Sequence, residues 1–319
     1  MSMEVAMRLF ARCFLLALAF VAAGTAARAG DTLKIGWLRA PNDITLAKAH
    51  GALETALKPL DVTVEWVGPF AAAAPAFEAL NAGAIDLTAG STPSAISGLA
   101  ANMPFVVFAY QKMSAGAEGI LVPKSSPVHA IADLKGKSVA VNRGGTGEYL
   151  LVRALETAGV DVASVKRVYL SPSDSAAALA TGHVDAWATW DPFVTLGQAN
   201  YDARVLADGA AIRSDNAVVL VASRALAEKR AKVLQVVFGA LQAENVWAVA
   251  HPSEAGRIWA EAMSLKSDLS EAIGRNSAVP THGVTAADIA QMGAIADWSL
   301  QQGIVAVKPD VAKGVIELK

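Results

Sequence analysis

The sequence contains very little cysteine and no dense cluster of positive charge. Its one cysteine, Cys13, lies within the first 30 of 319 residues. The rest of the chain cannot form a disulfide or a cysteine-ligated metal site, so its stability must come from an apolar core. Lysine and arginine total 27 against 29 acidic residues, a formal net charge of −2. No basic stretch indicates nucleic acid or an anionic membrane surface as a partner.

Motifs of common enzymes and metal sites are also missing. Gly136-Lys137-Ser138 has the ending of a phosphate-binding loop, but Ile131 stands where the earlier glycine is required, and the segment leads into a predicted strand. No Gly-x-Ser-x-Gly sequence occurs, and the histidines show no paired metal-ligand spacing. These absences predict no catalytic residue, no metal and no cofactor. The histidines are His50, His129, His183, His251 and His282.

The first residues have the pattern of an export signal. Arg8 and Arg12 precede an apolar run from Cys13 to Ala23, and the small-residue sequence Ala27-Arg28-Ala29 follows. The run is about a dozen residues long, short of the roughly 20 that cross a bilayer as a helix. We therefore expect residues 1–29 to be a cleaved signal peptide and the mature protein to be periplasmic.

The remainder of the chain alternates short β-type runs with alanine-rich segments of helical length. This alternation is typical of an α/β fold with mostly parallel sheets flanked by helices. Predicted strands cover 33–38, 62–67, 85–88, 105–110, 119–122, 138–142, 167–170, 184–188 and 217–222. Predicted helices cover 43–57, 74–82, 93–101, 147–158, 174–181, 224–250, 253–263 and 286–302.

A chain of this length usually folds around more than one hydrophobic core, so we expect two lobes. We also expect the protein to be a monomer. The compact polar stretches Pro123–Pro127 and Asp208–Asn216 are the predicted crossings between the lobes. Lobe 1 would then consist of residues 30–125 and 212–319, and lobe 2 of residues 126–211. A ligand is expected in the cleft between the lobes, beyond the carboxyl ends of the strands.

Four predicted strands end in a small or polar residue that can open a helix. Backbone N–H groups and the positive end of the helix dipole then point at the cleft, an arrangement that binds anions. The predicted N-caps are Asn42, Ser91 or Thr92, Thr146 and Asp191. Pro93 and Pro192 fit the first helical turn, where a missing N–H is harmless. The pattern predicts an anion site.

Two further side chains, Trp190 and Arg143, are candidates for this site. Trp190 stands beside the Asp191 helix start and is expected to form an apolar wall of the cleft or, alternatively, part of the core. Trp187 alternates to a different face of the same strand. Arg143 either contributes charge to an anion or is an exposed loop residue.

Several sequence stretches resemble the sulfonate-binding proteins of bacterial ABC importers, in the aliphatic sulfonate, taurine and nitrate group. The resemblance covers the whole mature chain. It is carried by Gly119-Ile-Leu-Val-Pro123, Asp133-Leu-Lys-Gly-Lys137 with Val139-Ala-Val-Asn142, Tyr149-Leu-Leu-Val-Arg-Ala-Leu155, Val184-Asp-Ala-Trp187 with Trp190-Asp-Pro-Phe193, and Arg204-Val-Leu-Ala-Asp-Gly209.

This resemblance implies the type II periplasmic binding fold, in which two lobes close on a ligand that helix N-termini hold. It assigns Ser91 and Thr92 to the pocket from one lobe and Trp190 with Asp191 to its wall, with Asn42 as a further contributor. The other lobe would supply Asn142, Gly145 and Thr146 to the pocket. The chain departs from the pattern after Gly90, and at Arg143 and Glu148, where the family tends to have lysine and histidine. Glu148 either favours a ligand with an ammonium group, such as taurine, or complements its helix N-terminus.

The resemblance implies a receptor that captures a small sulfonate and delivers it to an inner-membrane ABC permease without turnover. One alternative keeps the fold but binds nitrate, bicarbonate or a pyrimidine vitamin precursor. Another is an enzyme like the thiamine-pyrimidine synthases. The expected export and the cysteine-free mature chain argue against the enzyme, because those synthases rely on clustered cysteine and histidine.

Overall fold

The computed structural model describes residues 31–318 and contains two β-sheets, each flanked by helices. The predicted signal peptide, residues 1–29, lies outside the described residues. The α/β class is confirmed. The strands are β1 Asp31–Leu38, β2 Val62–Phe70, β3 Leu87–Ser91, β4 Phe105–Lys112, β5 Glu118–Pro123, β6 Ser138–Val141, β7 Lys166–Tyr169, β8 Ala186–Trp190, β9 Ala203–Asp208, β10 Ala217–Ser223 and β11 His282–Gly283.

The helices pack on both faces of these sheets. They are α1 Asp43–His50, α2 Ala52–Leu57, α3 Ala73–Asn81, α4 Thr92–Ala100, α5 Thr146–Thr157, α6 Pro172–Ala180, α7 Phe193–Asn200, α8 Gly209–Ile212, α9 Arg224–Lys229, α10 Ala231–Ala250, α11 Pro252–Ala262, α12 Ser270–Ser277 and α13 Ala286–Gln301.

The first sheet has the strand order β11-β4-β10-β3-β1-β2. β1 runs parallel to β2 and β3, whereas β10 runs antiparallel to β3 and β4. β4 is buried along its length except at Lys112, as expected for a strand covered by helices on both faces. β3 lies between β10 and β1, in the interior of the sheet. Its carboxyl end, at Ser91, therefore lies near the middle of one edge of the sheet.

The second sheet has the order β7-β6-β8-β5-β9. β6 is parallel to β7 and β8, and β5 is antiparallel to β8 and β9. Both sheets are therefore mixed rather than mostly parallel. The antiparallel strands β5 and β10 are the ones by which the chain enters the second sheet and returns to the first.

The position of the first crossing corrects the predicted lobe boundary. β5 was expected in lobe 1, which was predicted to extend to residue 125, but it pairs with β8 and β9 of the second sheet. The chain therefore leaves the first sheet after Lys112 and crosses through residues 113–117, not at 123–127. The return crossing lies between β9 and β10, within the predicted stretch 208–216.

Two predicted long helices are interrupted. The helix expected over 43–57 breaks at Gly51, which ends α1 with a left-handed φ of 65°, and the helix expected over 224–250 breaks at Arg230. The sequence prediction did not include α7, α8, β9, α12 and β11. Most of these elements are short, and their apolar periodicity is correspondingly weak.

Helix α10 is long and apolar enough to cross a membrane by length and composition alone. In the structure it packs as a core helix of the first lobe, with Leu234, Val237 and Leu241 fully buried. It contacts α1 and α2, and α1 begins at Asp43, directly after Asn42.

Candidate functional site

The N-terminus of α4 follows β3 at the centre of the first sheet. Ser91 is the N-cap, and its Oγ accepts a hydrogen bond from the Ser94 backbone N–H at 3.3 Å. Pro93 lies in the first turn, as predicted. A Cβ on Gly90 would lie 2.5 Å from the Phe77 ring, so glycine is required there by packing against Phe77.

The N-terminus of α5 follows β6 in the second sheet. Its N-cap is Gly145, so the prediction of Thr146 as the cap is wrong, and Thr146 is the first helical residue. The reason is that Asn142 takes the capping role, since its Oδ1 accepts from the Gly147 N–H at 2.7 Å. A Cβ on Gly145 would lie 2.0 Å from Asn142 Nδ2, so a larger residue would displace the Asn142 side chain.

These two helix starts, one from each lobe, face each other. Ser97 Oγ on α4 donates to the Gly144 carbonyl at 2.8 Å. Ser94 Oγ lies 3.1 Å from the position that a Cβ on Gly145 would occupy. Both helices present the positive end of their dipole to this junction. The N-termini of α4 and α5 both carry partial positive charge, so an anion between them would be stabilised by both helices.

Asn216, a residue that the sequence analysis did not identify as part of the site, joins the two helix starts. Thr92 Oγ1 donates to Asn216 Oδ1 at 3.0 Å and accepts from the Ala217 N–H at 3.2 Å. Asn216 Nδ2 donates to Thr146 Oγ1 at 3.3 Å. The Thr92 hydroxyl is thus fully used by the return crossing, whereas the Thr146 hydroxyl hydrogen has no acceptor among the described residues.

A cavity of about 50 Å³ has in its wall Gly90, the residue before the N-cap of α4. Of the predicted site residues, Asn42, Trp190 and Asp191 line it. The other predicted site residues, Ser91, Thr92, Asn142, Gly145 and Thr146, are not among its lining residues, and Ser94, Ser97 and Gly144 of the junction line a separate cavity. The other lining residues are Leu38, Ala40, Pro41, Ala89, Gly90, Gln111, Met113, Ala117, Val218, Asn276, Ser277 and Val279.

Asn42 occupies the predicted position at the start of α1. Its Oδ1 accepts from the Thr45 N–H at 3.1 Å, which confirms it as the N-cap. Its Nδ2 donates to the Ala40 carbonyl at 2.8 Å, and its own carbonyl accepts from Trp259 Nε1 at 3.0 Å. These bonds hold Asn42 rigidly against the cavity.

Asp191 lies at the start of α7 and is buried. Its Oδ1 accepts from the Thr195 N–H and from Thr195 Oγ1, both at 2.9 Å. The residue in the N-cap position is Pro192, so the prediction of Asp191 as N-cap is wrong by one position, although its carboxylate still bonds an N–H of the helix. Asp191 Oδ2 accepts from Asn276 Nδ2 of the first lobe at 2.7 Å. Burial raises the pKa of Asp191 above its ordinary value.

Trp190 and Trp187 lie on opposite faces of β8, as the alternation predicted. Trp190 lines the cavity and packs edge to face on Phe193, with ring centroids 5.6 Å apart. Trp187 is 2% exposed and belongs to the core of the second lobe.

Arg143 and Glu148 lie outside the cavity lining. The Arg143 guanidinium stacks on the Tyr169 ring, 3.6 Å from its centroid. Glu148 accepts from the Gly144 N–H at 2.7 Å, from Arg167 at 2.9 Å and from the Tyr169 hydroxyl at 2.6 Å. Of the two interpretations of Glu148, the structure supports the one in which it complements the start of α5.

Within residues 31–318, no group of three histidine, cysteine, aspartate or glutamate side chains is arranged to hold a metal ion. The groups that the site offers are backbone N–H groups, hydroxyls, side-chain amides and one buried carboxylate.

Solved structures share this two-lobed architecture. The alkanesulfonate-binding protein SsuA from Xanthomonas axonopodis pv. citri, bound to MOPS, superposes with a TM-score of 0.84 at 29% identity, over 91% of this chain and 99% of that chain. SsuA from Escherichia coli, a periplasmic aliphatic sulphonate binding protein, gives a TM-score of 0.80 at 30% identity, over 91% of this chain and 93% of that chain.

Sequence comparison gives the same relationship. An Escherichia coli (strain K12) protein named as an aliphatic sulfonates-binding protein is 36% identical over 207 residues, which span 65% of this chain and 64% of that protein. The aligned part is thus somewhat less than two thirds of that relative. The family model described as "NMT1/THI5 like" matches residues 60–255. The predicted resemblance is confirmed, and the chain belongs to the NMT1/THI5-like family, beside the sulfonate-binding proteins of ABC importers.

Proposed function

We propose that this protein is the periplasmic solute-binding component of an ABC importer, and that it captures a small sulfonate between its lobes. The observation that carries the proposal is the juxtaposition of two helix N-termini, at Ser91–Ser94 and Gly145–Thr146, one from each lobe. A tetrahedral anion accepts several hydrogen bonds at once, and this junction offers backbone N–H groups and the Thr146 hydroxyl. The sulfonate-binding relatives support the choice of anion.

Capture works by closure of the lobes on the ligand. The lobes already contact each other through Ser97 with Gly144, Asn276 with Asp191 and Trp298 with Glu156. A ligand that bonds both helix starts interacts with the closed form more than with an open one, so it shifts the population toward closure. The closed form would then dock on an inner-membrane permease. Neither lobe closure nor docking changes the ligand chemically, so the protein binds without turnover. We propose that it acts as a monomer.

Two features of the sequence and the cavity support this assignment against its alternatives. The predicted signal peptide, residues 1–29, supports a periplasmic location beside an importer. Among the described residues that line the cavity, Trp190 is the one aromatic side chain. A planar pyrimidine is usually held between aromatic or apolar faces on both sides, which favours a ligand with a tetrahedral head and a slender tail.

A thermal-shift screen of the purified protein tests the proposal. Ethanesulfonate, taurine, an aromatic sulfonate, sulfate, bicarbonate and nitrate are compared at equal concentration and ionic strength. A specific ligand stabilises the native state by mass action, by about 2.7 kcal/mol at one hundred times its Kd. We expect the largest shift with an alkanesulfonate or taurine. A shift with nitrate alone would overturn the sulfonate assignment.

A further inference from the structure

The lobes also contact each other near the carboxyl end of α5, away from the helix start at which the anion is expected. Trp298 lies on α13, a helix that packs on α4 of the first lobe. Its Nε1 donates to Glu156 Oε2 of α5 at 2.7 Å. Its ring packs edge to face on Tyr149 of α5, with ring centroids 5.1 Å apart. Trp298 is 9% exposed and Tyr149 is 3% exposed, so a buried tryptophan of one lobe is held by two residues of the other.

Helix α5 joins this contact to the anion end of the molecule. It begins at Thr146, and Glu156 lies in its last turn, about 15 Å farther along the axis at a rise of 1.5 Å per residue. Tyr149 lies between them, and its hydroxyl accepts a hydrogen bond from the Asp215 N–H of the return crossing at 3.0 Å. Tyr149 is therefore next to a segment about which the lobes turn. Glu156 lies about two helical turns beyond Tyr149, so a rotation of the second lobe displaces it more.

The contact between Trp298 and Glu156 is sensitive to such a rotation. A hydrogen bond weakens steeply once the distance between its heavy atoms exceeds about 3.2 Å, so a displacement of about 1 Å breaks this one. Packing offers little compensation, because a cavity of about 110 Å³ lies beside the contact. Atoms that face a cavity lack partners for dispersion attraction. The cavity lies between α5, the return crossing and α13, and is lined by Tyr149, Arg153, Asp215, Gln291, Ala294, Ile295 and Trp298.

We propose that Trp298, through its contacts with Glu156 and Tyr149, is a latch that holds the lobes closed even without a ligand. The contact exists in an arrangement in which Ser97 also bonds Gly144 across the lobe boundary, so it belongs to the closed form. The latch raises the closed population of the free protein and slows release from the complex. A ligand binds more tightly when its competent state is more populated, so the latch raises affinity without contacting the ligand. This inference rests on lobe closure as the capture step of the proposed function, and it holds for any ligand between the lobes.

Three variants separate the hydrogen bond from the rest of the contact. Trp298→Phe removes the N–H donor and keeps an aromatic ring, and the Glu156 carboxylate retains Arg153 of its own helix as a partner at 3.3 Å. Glu156→Ala removes the acceptor. Glu156→Gln keeps an acceptor oxygen and should therefore keep the latch. The matched control is Trp247→Phe in α10, because Trp247 packs on rings of its own lobe.

The distance between the lobes of the ligand-free mature protein is the direct measurement. Asn81→Cys in the first lobe and Lys166→Cys in the second place spin labels at two exposed positions. We expect Trp298→Phe and Glu156→Ala to shift the distance distribution away from that of the wild type. Saturation with ethanesulfonate or taurine should shift it back. Glu156→Gln and the Trp247 control should keep the wild-type distribution.

Two results would contradict the latch. One is an unchanged distance distribution in Trp298→Phe together with a lower melting temperature, which would mean that Trp298 only stabilises the fold. The other is a shift of the same size in Glu156→Gln as in Glu156→Ala, which would mean that the hydrogen bond is not the contact that holds the lobes.

Titration calorimetry and stopped-flow release measure the effect on binding. We expect Trp298→Phe to weaken ethanesulfonate and taurine by the same factor, about threefold to tenfold, which is the range of a single hydrogen bond. The change should appear mainly as faster release. Unchanged affinity and release in both latch variants would overturn the inference. If neither sulfonate binds the wild-type protein, the proposed ligand class is refuted, and the distance distributions of the free protein still decide whether the latch exists.

Discussion

The side-chain amide of Asn216 donates a hydrogen bond of 2.7 Å to the carboxylate of Glu118. Glu118 follows the first crossing between the lobes, and Asn216 ends the second. Both side chains are buried, at 2% and 1% exposure. The same amide contacts Thr92 and Thr146, the first residues of the two facing helices. The pair therefore ties the two connecting segments to the helix starts of both lobes.

The ionisation of Glu118 should make stability depend on pH. Burial raises its pKa from 4.5 to about 7, against the lowering effect of hydrogen bonds from Ser214 and Asn216. Because the folded pKa lies above the unfolded one, the contribution to stability is complete below about pH 4.5 and is lost as the pH rises through about 7. The loss is on the order of 3 kcal/mol, at 1.36 kcal/mol per pKa unit.

The measurement is urea unfolding of the wild-type protein and of Glu118→Gln between pH 4.5 and 8.5. Glutamine keeps the shape and cannot ionise, so the difference between the two proteins isolates this group from others such as Asp43, whose pKa burial raises to about 6. We expect Glu118→Gln to gain relative stability as the pH rises from 4.5 to about 7 and the difference to level off above that. A difference that stays constant over this range would contradict the prediction.

Replacing Asn216 by alanine should destabilise the protein by about 1–3 kcal/mol. The change removes one of the hydrogen-bond donors to the buried Glu118 carboxylate and the acceptor of the Thr92 hydroxyl hydrogen, and buried groups that lose a partner carry a desolvation cost. In a double-mutant cycle, the loss should be smaller in the Glu118→Gln background, because a neutral amide is less costly to leave unpaired. Simple additivity of the two changes would show that the residues are not coupled.

Thr92→Val and Thr146→Val should have different consequences. The Thr92 hydroxyl bonds Asn216 and the Ala217 N–H, so its loss should lower stability by about 1–3 kcal/mol. The Thr146 hydroxyl hydrogen is available to a ligand, so its loss should weaken sulfonate binding by about tenfold, with a smaller loss of stability. Thermal melts and calorimetric titrations on both variants measure the two effects. Unchanged affinity in Thr146→Val would remove that hydroxyl from the site.

Gly145→Ala should weaken sulfonate binding by more than tenfold. The added methyl group would occupy the space of Asn142 Nδ2 and displace the side chain that bonds the Gly147 N–H, which disturbs the start of α5. The matched control is Gly239→Ala in α10, where a Cβ meets nothing within 4 Å. That change should leave binding intact and stabilise the helix by up to about 1 kcal/mol. Equal effects of the two variants on affinity would argue against a special role for Gly145.

The predictions that succeeded from sequence concern contacts between near neighbours in the chain. Asn42 and Ser91 cap their helices through N–H groups three residues away, so a polar residue before an apolar helical pattern is enough to identify them. The alternation that separates Trp190 from Trp187 is equally local. Thr146 was assigned as a cap because the competing amide of Asn142, which reaches Gly147 five residues away, leaves no signal in the local pattern.

The α/β class, most helices and strands, the resemblance to sulfonate-binding proteins and two of the four helix caps could be predicted from the residues alone. These follow from periodicity and from side chains that bond their own backbone neighbourhood. Only the tertiary structure placed β5 in the second sheet, paired Glu118 with Asn216 across 98 residues, and bonded Asn276 to Asp191 across 85 residues. Such contacts depend on how the chain crosses between the lobes. Many polar residues could supply the partner, so the sequence does not identify which one does. The acidic residue that lines the cavity is therefore Asp191, while Glu148 is bonded to Arg167 and Tyr169 and is not among the lining residues.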